Sequence, residues 1–182
     1  MKRMLAAAVL ATVACTEPRS EPELLTPETI AMYPCVAESR SYPQGESPVY
    51  TIDERFADVS RRVPGGFAVT IHPNIVYLKD LTKADDARPI LAEEFGGDPL
   101  GFVFREARYD WLELISCYRA LRLGGIWNTP IIASDIDEVR NRLVLVVQDL
   151  ADEERIVRRR IRELRVPQEM VVVLEGTMPT LD

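Results

Sequence analysis

Histidine is almost missing from this chain: His72 is the only one in 182 residues. Imidazole chemistry therefore rests on a single side chain. A histidine general base needs a positioned nucleophile on one side and an orienting acid on the other, and no G-x-S-x-G elbow occurs. His72 itself stands in His-Pro-Asn, which is turn chemistry. Zinc fares no better, because one histidine and three scattered cysteines, Cys15, Cys35 and Cys117, match no ligand spacing. Phosphate loops are lacking as well: Gly65-Gly66 has neither the further glycines nor the lysine of a P-loop. No motif implies a cofactor or a metal, no residue is assigned a catalytic role, and the expectation is a protein that is not an enzyme.

Basic charge is scarce too. Lysine and arginine number 22 against 29 acidic residues, a net charge of −7. Without residues 1–14, which carry Lys2 and Arg3, 20 basic side chains face 29 acidic ones and the net charge is −9. Such a surface repels phosphate backbones and anionic membranes at long range, so nucleic acid is not an expected partner. Long apolar runs are lacking as well. Residues 4–14 form an eleven-residue run, roughly 16 Å as a helix against a bilayer core of about 30 Å. That is too short for a permanent span.

What the leader does contain is a basic head, Met1-Lys2-Arg3, then the apolar run, then small residues before Cys15. These are the parts of an export signal over residues 1–14. Thr12-Val13-Ala14-Cys15 resembles the bacterial lipoprotein box, and the resemblance implies that Cys15 becomes the lipid-bearing first residue of an envelope-anchored chain. Ordinary cleavage after Ala14 is the alternative. Residues 16–48 then hold six of the thirteen prolines, so 15–49 reads as an extended tether with at most one helical turn around 27–30. With Cys15 lipidated, Cys35 and Cys117 remain as a pair that an oxidising compartment can bridge. The other reading makes Cys117 a small buried hydrophobe and Cys35 an exposed thiol.

Residues 50–182 read as an α+β domain. Thr51 and Glu54 have capping-box spacing before Phe56, Val59 and Val63, and Pro64-Gly65-Gly66 stops that helix. Two β-rich runs flank His72-Pro73-Asn74 as a hairpin. A helix over 82–95 follows, with Ala87, Leu91 and Phe95 inward, then a strand in LGFVFREA. The order recurs in TPIIASDIDEVRNRLVLVVQD, a helix opened by Asp149 with Leu150, Val157, Ile161 and Leu164 inward, and a strand in EMVVVLEG. A shift of 69 residues lays Ile75-Val76-Tyr77-Leu78 on Val144-Leu145-Val146-Val147, and Phe102-Val103-Phe104 on Val171-Val172-Val173. The expectation is two similar β–β–α–β halves, about 65–108 and 130–176, packed around a connecting helix over 110–123.

RRVPGGFAV, ARYDWLELISCYRAL and SDIDEVRNRLVLVVQD together resemble exported bacterial proteins of undefined activity. More loosely they are similar to the pro-regions of bacterial chymotrypsin-like secreted proteases, which pair small α+β units and act as folding helpers and inhibitors. The sequence stops at Asp182 with no protease domain after it, so the resemblance implies a role exerted on a separate partner.

Three charged groupings invite chemistry. Asp135, Asp137, Glu138 and Asn141 offer oxygens to calcium, but without EF-hand spacing they read as a solvated hairpin. Glu93-Glu94, or Glu106 with Asp110, could act as a carboxylate acid/base pair in a small hydrolase, although no cleft is indicated. Arg155, Arg158, Arg159, Arg160, Arg162 and Arg165 follow Asp152, Glu153 and Glu154 along one helix, the order its dipole favours. The reading that results is a non-enzymatic binding or accessory lipoprotein of the cell envelope with a protein partner. A trans-acting protease inhibitor or folding helper is the alternative.

Overall fold

The structure, a computed structural model, describes residues 32–41, 52–72 and 74–177. The leader, Cys15, most of the proline-rich stretch, Thr51 and Pro73 lie outside the described residues. Five helices, α1 (Pro34–Ala37), α2 (Ile52–Arg62), α3 (Ala84–Phe95), α4 (Trp111–Leu123) and α5 (Leu150–Glu163), accompany six strands. The strands are β1 (Phe67–Ile71), β2 (Ile75–Leu78), β3 (Val103–Glu106), β4 (Ile131–Asp137), β5 (Arg142–Val147) and β6 (Val171–Glu175). They form two three-stranded sheets, ordered β1-β2-β3 and β4-β5-β6. In each, the middle strand pairs antiparallel with its hairpin partner and parallel with the third strand. A parallel neighbour needs a crossover, which α3 and α5 supply. The fold is α+β with two similar units.

The units agree in register as well as order. Ile75 faces Val103 and Val144 faces Val172, and the next three pairs also correspond at a spacing of 69. Phe67 opposite Leu78 and Ile131 opposite Val147 each precede a bulge in the hairpin's first strand. An arginine of each crossover helix reaches the turn before the third strand. Arg88 Nη1 donates to the carbonyls of Pro99 and Phe102 at 2.8 and 3.1 Å. Arg158 Nη1 donates to those of Gln168 and Val171 at 3.2 and 2.9 Å. The buried helix residues Ala87 and Leu91 match Val157 and Ile161 at 70 rather than 69, so the strands keep register while the helix slips by one. The second hairpin is the longer: nine positions separate the paired Asp135 and Val144, four the paired Ile71 and Ile75. A helix also precedes each hairpin, α2 in one unit and α4 in the other. The repeating unit is thus α–β–β–α–β, and the connecting helix is also the second unit's own first helix.

α4 forms because Asp110 caps it and a wide apolar stripe fills it. Asp110 Oδ1 accepts from the Glu113 amide at 2.9 Å while Glu113 Oε2 accepts from the Asp110 amide at 3.0 Å, a complete capping box. Trp111, Leu112, Leu114, Cys117 and Leu121 are all buried, each large side chain contributing about 1.5–3 kcal/mol. α4 packs on α1, on α2 and on strands of both sheets. Phe56 sits edge-on to Trp111, Phe67 and Phe95, with ring centroids 5.1, 5.5 and 6.2 Å apart, so α2, β1, α3 and α4 meet in one aromatic cluster.

One segment departs from the extended tether expected over 15–49. Residues 34–41 form α1 and a 3-10 turn, Ser39–Ser41, docked on α4 with Cys35, Val36 and Ser39 buried. Cys35 and Cys117 are joined as a disulfide, S–S 2.10 Å, so Cys35 is not an exposed thiol. Pro34 at the first helical position favours the turn it starts. Proline here begins structure rather than preventing it.

Candidate functional site

The outer side of α4 carries an open groove of about 390 Å³. Ile115, Tyr118, Arg119, Arg122 and Leu123 supply its α4 wall, and Asp53 of α2 and Trp127 complete the lining. Local sequence explains why large apolar groups face out here. Gly125, at φ 76°, turns the chain into a 3-10 turn, Ile126–Asn128. Ile126 drops fully into the core and Trp127, next in line, is left 48% exposed. Leu123, at the last turn of α4, is 76% exposed. Arg160 from α5 holds the bend by donating to the Gly124 carbonyl at 2.5 Å.

The groove is lined by charges of both signs. The Arg122 guanidinium lies 5.8 Å from the Tyr118 ring centroid, and Tyr118 is fixed by hydrogen bonds to Ser134 at 3.0 and 3.2 Å. Burial, and then the carboxylates of Asp135 and Glu54, raise the Asp53 carboxyl above its ordinary range. Tryptophan, tyrosine and arginine around an apolar floor are the residue types that dominate binding energy at protein interfaces.

A second charged cluster lies beneath α1. Asp110 and Glu113 are buried. Arg40 Nη2 meets Asp110 Oδ2 at 2.6 Å and Nη1 donates to the Ser60 carbonyl at 3.1 Å. Lys79 Nζ meets Glu113 Oε1 at 2.5 Å. Burial, then Glu113, pushes the Asp110 carboxyl up to about 6, against Arg40, the Glu113 amide and Lys79 pulling it down. Gly66, at φ 74°, closes the cluster, since a Cβ there would stand 3.2 Å from the Asp110 Cβ. Both Asp110 oxygens are engaged, one by the cap and one by Arg40.

The other residues singled out from sequence are dispersed. Glu106 ends β3, exposed, while Asp110 is buried at the α4 cap. Glu94 takes Arg55 at 2.7 Å and Arg62 at 3.2 Å and so fastens α3 to α2. Asp137 accepts from the Arg140 amide at 2.8 Å and pairs with its guanidinium. Asp135 Oδ1 accepts from the next amide, that of Ile136. Asn141 is no solvated oxygen donor: it is buried at φ 54°, accepts from the Arg108 and Tyr109 amides and donates to the Tyr109 carbonyl. His72 is exposed at the first hairpin tip with φ 62°. Glu154 takes Arg158 at 3.1 Å. Among the described residues no three His, Cys, Asp or Glu side chains gather to hold a metal, and no helix is long and apolar enough to cross a membrane.

Sequence reasoning passed over Trp127, Leu123, Arg40 and Lys79. Trp127 carried a legible signal, a bulky aromatic two residues beyond a Gly-Gly helix stop. Arg40 carried none, because its partner lies 70 residues away. Comparison with family models, with curated proteins and with solved structures finds no match to this chain.

Proposed function

We propose that this protein is a non-enzymatic accessory module of the bacterial cell envelope, lipid-anchored through Cys15, that binds a partner protein through the groove beside α4. The observation that carries the reading is the exposed pair Leu123 and Trp127 framing an arginine-walled groove on an otherwise acidic chain. The partner segment presents one bulky apolar side chain flanked by carboxylates: the apolar group covers Leu123 and Trp127, and a carboxylate meets Arg122. Opposite charge on the partner speeds encounter, and burying an aromatic anchor slows release.

The test uses the protein's own fluorescence. Of its two tryptophans, Trp111 is 1% exposed and Trp127 is half in solvent, so only Trp127 reports a ligand in the groove. Titration with nonapeptides carrying a central Phe among glutamates shifts the emission to the blue, whereas the same peptides with lysines do not. Leu123→Asp abolishes the shift. Equal binding of acidic and basic peptides, or full binding by the Leu123→Asp protein, overturns the assignment.

A further inference from the structure

The segment 33–41 is joined to the body in an unusual way for its size. Its helix, α1, has four residues and the following 3-10 turn three, far too few to persist alone. Its buried apolar contribution is Cys35 and Val36. Tyr33 packs partly buried against the core and Ser39 is buried, and among the described residues two specific fastenings are added: the Cys35–Cys117 disulfide at one end and Arg40 at the other. Arg40 reaches across to the α4 cap through Asp110 and to the last turn of α2 through the Ser60 carbonyl.

Access to the disulfide is one-sided. Cys117 is fully buried in α4, while Cys35 lines an open groove of about 350 Å³. Pro34, Glu38 and Ser41 of the segment form one wall and Ser116, Ala120 and Leu164 of the body the other. Arg119 and Leu123 line this groove and the one beside Trp127 alike. Cys35, 8% exposed against 0% for Cys117, is therefore the half of the bridge nearer to solvent.

We propose that residues 33–41 are a redox-held strap: a dithiol attacking Cys35 releases the strap from α4 while the two-unit body stays folded. The thiolate of the dithiol bonds to the Cys35 sulfur, the Cys35–Cys117 bond breaks, and Cys117 leaves as a thiolate that takes a proton. The second thiol of the reductant then displaces Cys35 as its thiol. Two electrons and two protons pass to the protein, and the reductant ends as a cyclic disulfide. Released, the strap uncovers Cys117 and the α4 face beneath it and removes Arg40 from Asp110. The inference stands apart from the peptide-binding reading, because it concerns only whether the strap is docked.

Hydrogen exchange read by mass spectrometry tests this on the intact protein. Docked, the amides of Val36, Ala37, Glu38 and Ser41 bond to carbonyls within the strap at 2.9–3.0 Å. Oxidised protein protects peptide 33–41. A tenfold or greater rise in its exchange on adding dithiothreitol, with peptides of β5 and β6 unchanged, is the expected result. The paired variant Cys35→Ser with Cys117→Ser exchanges like reduced wild type without any reagent. Unchanged protection of 33–41 after complete reduction overturns the proposal. So does loss of protection across β5 and β6, since the bridge would then hold up the whole body.

Discussion

At the scale of single residues, Asp110 holds the most consequential position. It caps α4, anchors Arg40, and does both while buried beside another carboxylate. Its carboxyl titrates near 6 in the folded protein, raised from 3.8. Between those values the native state keeps a proton that the unfolded chain has released. The contribution of Asp110 to stability is thus fully present below about 4 and is lost as pH rises through 6. Asp110→Asn retains an oxygen to accept from the Glu113 amide but cannot titrate. Urea midpoints at pH 4 and 7 should therefore fall more steeply with rising pH in wild type than in the variant. The depressed carboxyls of Asp80 and Asp137 act in the opposite sense, but they are common to both proteins and cancel in the comparison. Parallel pH profiles for the two proteins would remove the assignment.

At the scale of elements, the recurring device is an arginine on the crossover helix that holds the approach to the third strand. Arg158 binds two backbone carbonyls and Glu154, and Arg88 binds the equivalent carbonyls and Asp85. Hydrogen bonds to a charged group are worth about 1.5–3 kcal/mol, so Arg158→Ala should lower the unfolding free energy by about that much in urea titration. Arg159→Ala, one residue on and exposed, should stay within about 0.5 kcal/mol. Equal effects would mean that the helix's charge rather than these carbonyl bonds matters. The sequence disclosed much at this scale. Alternating strands, Asp149 as a cap and the inward face of α5 follow from local periodicity and side-chain chemistry. It concealed whatever depends on distant chain. The bulges at Ala68 and Ile132 leave no compositional trace, and proline around Cys35 reads as extended chain until Cys117 gives it something to dock on. The groove was hidden for the same reason, since Asp53 and Trp127, 74 residues apart in sequence, line it together with α4.

At the scale of the whole molecule, the two units are bound too closely to act as separate beads. Trp111, first residue of the second unit's helix, donates from its indole to the Asp53 carbonyl at 3.1 Å and packs on Phe56 of the first. Asn141 of the second hairpin holds the backbone of Arg108 and Tyr109 just past β3. One continuous core runs from Cys35 to Val173, and its acidic exterior has little affinity of its own for an anionic membrane. In the proposed reading, placement at an envelope therefore falls to the leader: its eleven apolar residues would deliver the chain and acyl groups on Cys15 would keep it there. One short fatty chain binds a membrane only marginally, whereas several do so stably. Intact mass of the protein from its own cells is expected to begin at Cys15 with acyl groups added, and the protein to pellet with membranes. A mass beginning at Cys15 with no addition would remove the anchor but leave export. Full-length chain beginning at Met1 in the soluble fraction would remove both, and with them the reason to look for the groove's partner outside the cytoplasm.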